Sequence, residues 1–214
     1  MRAPVLVTAP AADAVSVAEV RSMLALPSTD PSDALLTAFI GAVVGSLDPA
    51  SDGWLGRALA RQTWELRLDS FPSGAITFPY PPLSTVTSVK YDDADGVEQT
   101  LVADTDYRLF DGTPYKSRIE PVYGGTWPTA RCDSESVRIR FVAGYADGGV
   151  PGAIKAAIAL GVRDLLSVAA KDLHLARDEV PGVIVQQFVV SDAASKTIKA
   201  AIGGLLGGYV VASL

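Results

Sequence analysis

A single histidine, His174, and a single cysteine, Cys132, are the only side chains here that could form an imidazole–thiol nucleophile pair. Cys132 falls in a polar turn, residues 130–136, with no helix N-terminus to activate its thiolate. His174 stands beside Asp172 and Arg177 at the end of a predicted helix, where a surface or capping role accounts for it. No Gly-x-Ser-x-Gly nucleophile elbow occurs. The element Asp93-x-Asp95-Gly96 has the look of a calcium loop, but it would place Tyr91 at the first ligand position and Val102 at the bidentate twelfth, so it reads as a turn. Gly203 and Gly208 have phosphate-loop spacing, yet Tyr209 and Val210 stand where that loop needs Lys and Ser/Thr. The acid pairs Glu65/Asp69 and Asp133/Glu135 are accounted for by solvated faces. No catalytic residue, metal ligand or cofactor is expected.

Composition points the same way. Of 214 residues, 49% are hydrophobic, enough for a sizeable core, while only 20% are charged against about 25% in an average soluble domain. More of the surface than usual is therefore uncharged, as suits a subunit partly hidden in an assembly. The 18 basic and 24 acidic side chains leave a net charge of -6 with no Lys/Arg cluster, which disfavours binding through nucleic-acid phosphates. One cysteine permits no internal disulfide and fits a reducing compartment. Pro4, Pro10 and Asp13 interrupt any apolar run near the N-terminus, so a signal peptide is not expected. The uncharged residues 200–214 are too short for a membrane span of about 20 residues and are broken by four glycines.

The elements follow from periodicity. Ser16 with Glu19 three residues on makes a capping box for a short helix ending before Pro27. A second helix is predicted with Asp30 as N-cap and Pro31 in its first turn, carrying Leu35, Leu36, Phe39, Ile40, Val43, Val44 and Leu47 to a stop at Asp48-Pro49. A further helical turn or two is expected over 53–61. From Gln62 the period changes to alternation, with Trp64, Leu66 and Leu68 on one side and Glu65, Arg67 and Asp69 on the other. Strands are also expected over 75–78, 85–91, 97–102, 107–110, 117–119 and 137–142, and the short connections imply antiparallel pairing. Asp95-Gly96 supplies a hairpin turn. Helical spacing returns after Pro151 for the longest helix, Pro181-Gly182 breaks the chain, 183–190 reads as extended, and 191–206 as helical. Trp54, Trp64 and Trp127 are assigned to core or inter-element packing, with partner hot spots as the alternative, and the Pro-rich stretch 79–82 to a sheet edge or corner.

The fold class is therefore α+β, a helical bundle with an antiparallel sheet inserted between its N-terminal and C-terminal helices. The segments are 1–61 (N-terminal helices), 62–148 (sheet module), 149–190 (long helix and extended segment) and 191–214 (docking helix and tail). In the last, Leu205, Leu206, Tyr209, Val210, Val211 and Leu214 form an apolar terminus expected to bind a partner; the alternative is that the stripe closes the chain's own bundle.

Several strings occur in order: Trp54-Leu-Gly-Arg-Ala-Leu59, Gln62-Thr-Trp-Glu-Leu66, Phe71-Pro72, Pro79-Tyr-Pro-Pro-Leu83 leading into Ser88-Val-Lys-Tyr91. Then come Arg118-Ile119, Thr126-Trp-Pro128, Val137-Arg-Ile-Arg-Phe141 and Ala143-Gly-Tyr145 ahead of Pro151. Over about residues 15–190 this series resembles the head-to-tail connector (adaptor) proteins of tailed phages and phage-derived gene-transfer particles. The resemblance implies a virion protein of the neck region, assembled in the host cytoplasm as a homo-oligomeric ring, usually a dodecamer. Its partners would be copies of itself, the portal protein at the C-terminal residues above, and the next tail component, or stopper. DNA would pass through without specific binding, and no membrane is involved. Similar proteins often place a basic residue after the final tyrosine, whereas Val210 follows Tyr209 here. The competing readings are a soluble binding module for a peptide or saccharide, and a small hydrolase.

Overall fold

The computed structural model describes residues 3–113, 115–169, 178–180, 184–186 and 192–211. It is an α+β protein with antiparallel sheets. The chain divides into two compact units: Met1–Ala14, Gly45–Val150 and Tyr209–Leu214 make one, and Val15–Val44 with Pro151–Gly208 make the other.

The first unit holds the main sheet, in the order β1 (Val5–Thr8), β2 (Gln62–Leu68), β8 (Val137–Ala143), β4 (Leu83–Asp92), β5 (Glu98–Leu101), every neighbour antiparallel. A smaller sheet has the order β3 (Ile76–Thr77), β7 (Arg118–Pro121), β6 (Tyr107–Phe110). The alternation in β2 and β8 does what period two dictates. Trp64, Leu66, Ile139 and Phe141 turn into one core with Val89, Phe78, Ile76 and Ile119, while Arg67, Arg138 and Arg140 face away. Phe78 and Phe141 meet with ring centres 5.0 Å apart. Strand β1 was not expected from the sequence. Its apolar run of three lies between Pro4 and Pro10, too short to show a period, and β2 supplies the pairing that makes it a strand.

Residues 53–61 are not helical, contrary to expectation. Their amides are taken by other acceptors: Trp54 N and Leu55 N donate back to Ser46 O and Leu47 O at 3.2 Å each, and Gly53 N to Asp48 O at 2.9 Å. The buried Asp48 carboxylate accepts from Ala50 N (2.9 Å), Leu59 N (2.7 Å) and Gln62 Nε2 (2.9 Å). A 3-10 turn, Pro49–Ser51, precedes this stretch. Trp54 is also corrected. It is 53% exposed, so it packs no core, whereas Trp64 is buried and Trp127 half-buried.

In the second unit, α1 (Val17–Leu24) has its capping box in place, with Glu19 N donating to Ser16 Oγ at 3.2 Å and Ser16 N to Glu19 Oε2 at 2.9 Å. Helix α2 (Asp33–Leu47) is capped by Ser32 rather than Asp30. Leu35 N, which a helix begun at Asp30 would direct to Pro31 O, donates to Ser32 Oγ at 3.3 Å, while Pro31 O accepts from Arg21 Nη2 at 2.5 Å. Helix α3 (Gly152–Ala169) buries Ile154, Ala157, Ile158 and Val162. A Cβ on Gly161 would lie 3.0 Å from Val43 Cγ1, so the glycine sets how closely α3 approaches α2 there. Lys155 Nζ reaches Glu19 Oε1 at 2.5 Å and ties α3 to α1. Strands β9 (Asp178–Val180) and β10 (Ile184–Gln186) pair antiparallel, and α4 (Asp192–Leu206) packs against α3. His174, the Pro181-Gly182 break and most of the extended stretch predicted over 183–190 lie outside the described residues.

Candidate interaction surfaces

The expected docking residues are spread over different environments. Leu205 is half-buried and Leu206 fully buried at the end of α4. Within the first unit, Tyr209 O accepts from Arg57 Nε at 3.1 Å, and the guanidinium carbon lies 5.8 Å from the Tyr209 ring centre. Arg57 is buried and also donates from Nη1 to Tyr145 Oη at 3.1 Å; burial pushes the Tyr145 phenol up, against the pull of that cation. Val211 N donates to Leu55 O at 3.0 Å. A Cβ on Gly56, whose φ is +67°, would sit 2.4 Å from Val211 O, so only glycine admits this contact. Between these anchors Val210 projects, 47% exposed. Leu214 lies outside the described residues.

The face of the main sheet away from the core is a charge mosaic. Register sets Arg67 opposite Arg138 and Arg138 opposite Lys90, a row of cations that would repel by itself. Acids interleave. Arg138 holds Asp92 through both terminal nitrogens, at 2.9 and 2.7 Å, and Glu98 at 3.1 Å. Arg67 reaches Glu65 at 2.8 Å and Glu135 at 3.0 Å, Arg140 reaches Glu65 at 2.8 Å, and Lys90 reaches Glu98 at 2.7 Å. Burial raises Glu65, but the hydrogen bonds from Arg140 and Arg67 outweigh it and hold the carboxyl below its usual range. The Arg138 bond does the same for Asp92, and Lys90 and then Arg138 for Glu98. Lys90, Arg67, Arg138 and Arg140 are thus each paired with a carboxylate of Glu65, Asp92, Glu98 or Glu135.

A groove of about 530 Å³ is lined by Phe71, Pro72, Pro121, Trp127 and Pro128 together with Ser and Thr residues. Phe71 and Trp127 stack with ring centres 5.0 Å apart, and Trp127 Nε1 donates to Gly74 O at 2.8 Å. No Asp, Glu, His, Lys or Cys lines it, so it offers no acid–base pair. The sequence had Phe71-Pro72 and Thr126-Trp127-Pro128 in view, but not that they meet across 56 positions of chain, the separation of Phe71 and Trp127.

Asp93 closes the hairpin turn, its carboxylate accepting from Val97 N at 2.9 Å and Asp95 N at 3.1 Å, with Gly96 at φ +80°. Asp69 Oδ1 accepts from Glu135 N at 3.0 Å. Gly203 is inside α4, so the phosphate-loop spacing there forms no loop. Cys132 is exposed. Among the described residues no group of His, Cys, Asp and Glu could hold a metal ion, and no helix is long and apolar enough to cross a membrane.

No protein-family description matches this sequence, and no curated protein does. Solved structures do. The fold is similar to that of a chain in the virion of a native gene transfer agent (GTA) particle, at 22% identity and a TM-score of 0.68, covering 100% of this chain and 97% of that one. Chains in the neck of a native GTA particle computed with C12 symmetry (TM-score 0.67) and the neck of an empty GTA particle computed with C6 symmetry (0.65) match at the same identity and coverage. The class defined is thus an α+β fold that also occurs, end to end, in chains of such particles.

Proposed function

We propose that this chain is a non-enzymatic structural subunit of the neck of a phage-like particle. In the finer reading it is a head-to-tail connector, or adaptor, forming a ring beneath the portal with the stopper on its tail side. The observation that carries this is the fold match over the whole chain to chains in GTA particles. The C12 and C6 symmetries of those necks support a ring of copies. The balanced mosaic on the sheet supports a surface that DNA passes without being held. An exposed Trp54 supports a partner contact, since tryptophan is enriched at interface hot spots. In the docking proposal Arg57 and Leu55 hold the C-terminal stretch while Val210 meets the portal.

Native mass spectrometry of the purified chain, alone and with the portal of the same particle, tests this reading. A ring that co-purifies with portal is the expected result. A chain that stays monomeric with portal present, and is missing from the neck in particle reconstructions, overturns it.

A further inference from the structure

We infer that the two open edges of the five-stranded sheet, β1 and β5, pair with each other between neighbouring copies of this chain, making the sheet continuous around the ring. This deepens the ring reading and rests on it.

Neither edge has an outer partner among the described residues. Natural edge strands are usually blunted by charge, by proline within the strand, by a bulge or by a covering element; of these, among the described residues, β1 shows only a register shift between Leu6 and Thr8. Here the chain carries no charge from Ala3 to Ala12, Pro4 and Pro10 both stand outside β1, and Val5 and Val7 are 41% and 42% exposed. At the far edge, exposed Val97 and Val102 flank β5, whose one charged residue, Glu98, is already held by Lys90 and Arg138.

The two edges match. Each strand is 4 residues long. Each places one half-buried leucine, Leu6 or Leu101, against the unit's core, so joining the strands brings those leucines together and closes the core layer across the junction. Direction decides the symmetry. The sheet has five strands alternating in direction, so β1 and β5 run the same way. Rotation about a ring axis then lays β1 of one copy beside β5 of the next in parallel, a head-to-tail contact that repeats until it closes. A two-fold dimer would instead pair like with like, antiparallel.

Paired strands lie about 4.8 Å apart, within disulfide reach. The test uses the full chain with Cys132→Ser, carrying Thr100→Cys together with Val5→Cys or Val7→Cys, oxidised at rising concentration. The expected result is a covalent ladder beyond dimer from a double variant, with none beyond dimer from any single one. Rings from the Cys132→Ser parent without a ladder would leave the ring reading standing and overturn the edge pairing. Disulfide dimers from Val5→Cys or Val7→Cys alone at the same yield would show a two-fold contact and overturn it too. Neither rings nor ladder with the portal of the same particle present would overturn both.

Discussion

Arg57 Nε donates to the carbonyl of Tyr209 at 3.1 Å, joining the loop after α2 to the C-terminal stretch across 152 positions of sequence. Because Arg57 is buried, its desolvated guanidinium needs acceptors fixed by the fold. Replacing Arg57 by Met should cost about 2 kcal/mol, read as a fall of roughly 4–8 °C in Tm. An unchanged Tm would show that the stretch is not held.

Val210→Asp separates docking from folding. Its side chain is 47% exposed and its neighbours carry the anchors, so Tm should stay within about 1 °C while co-purification with portal is lost. Retained portal binding would exclude Val210 from the contact.

Asp48→Ala should be among the most damaging single changes in the first unit. It strands Ala50 N, Leu59 N and Gln62 Nε2, for an expected loss of about 3 kcal/mol by denaturant titration. Asp48→Asn, which keeps one acceptor oxygen, should fall between.

Glu19 is held down to about 2, first by the Lys155 hydrogen bond and then by those from Ser16. A carboxyl lowered in the folded state stabilises above its unfolded pKa, so this contribution is full above about pH 4.5 and lost as pH falls toward 2. Glu19 is partly exposed and screened, so the contribution is about 1 kcal/mol. Glu19→Gln should lower stability at neutral pH and flatten its pH dependence below 4.5; an unaltered acid limb would show that the pair contributes nothing.

Duplex DNA should not be retained at about 150 mM salt, because the sheet's cations are already paired with carboxylates and the chain carries -6 overall. Fluorescence anisotropy with a short duplex should show no binding at about 10 µM protein; micromolar affinity would contradict the mosaic as a passive wall.

The sequence by itself determined the elements whose cause is local. Alternation in β2 and β8 set Trp64, Leu66, Ile139 and Phe141 on the core face, Ser16 and Glu19 capped α1, and apolar spacing marked α3. Such patterns say which face of an element is buried but not what covers it. Tertiary structure alone decided that Trp54 is exposed while Trp64 is buried, that the amides of Gly53, Trp54, Leu55 and Leu59 go to Ser46, Leu47 and Asp48 instead of a helix, and that Val5 pairs with Glu65. It also decided the place of Tyr209 and Val211. Their partners, Arg57 and Leu55, lie more than 150 positions away, and a hydrogen bond between groups so far apart leaves no period for the sequence to display.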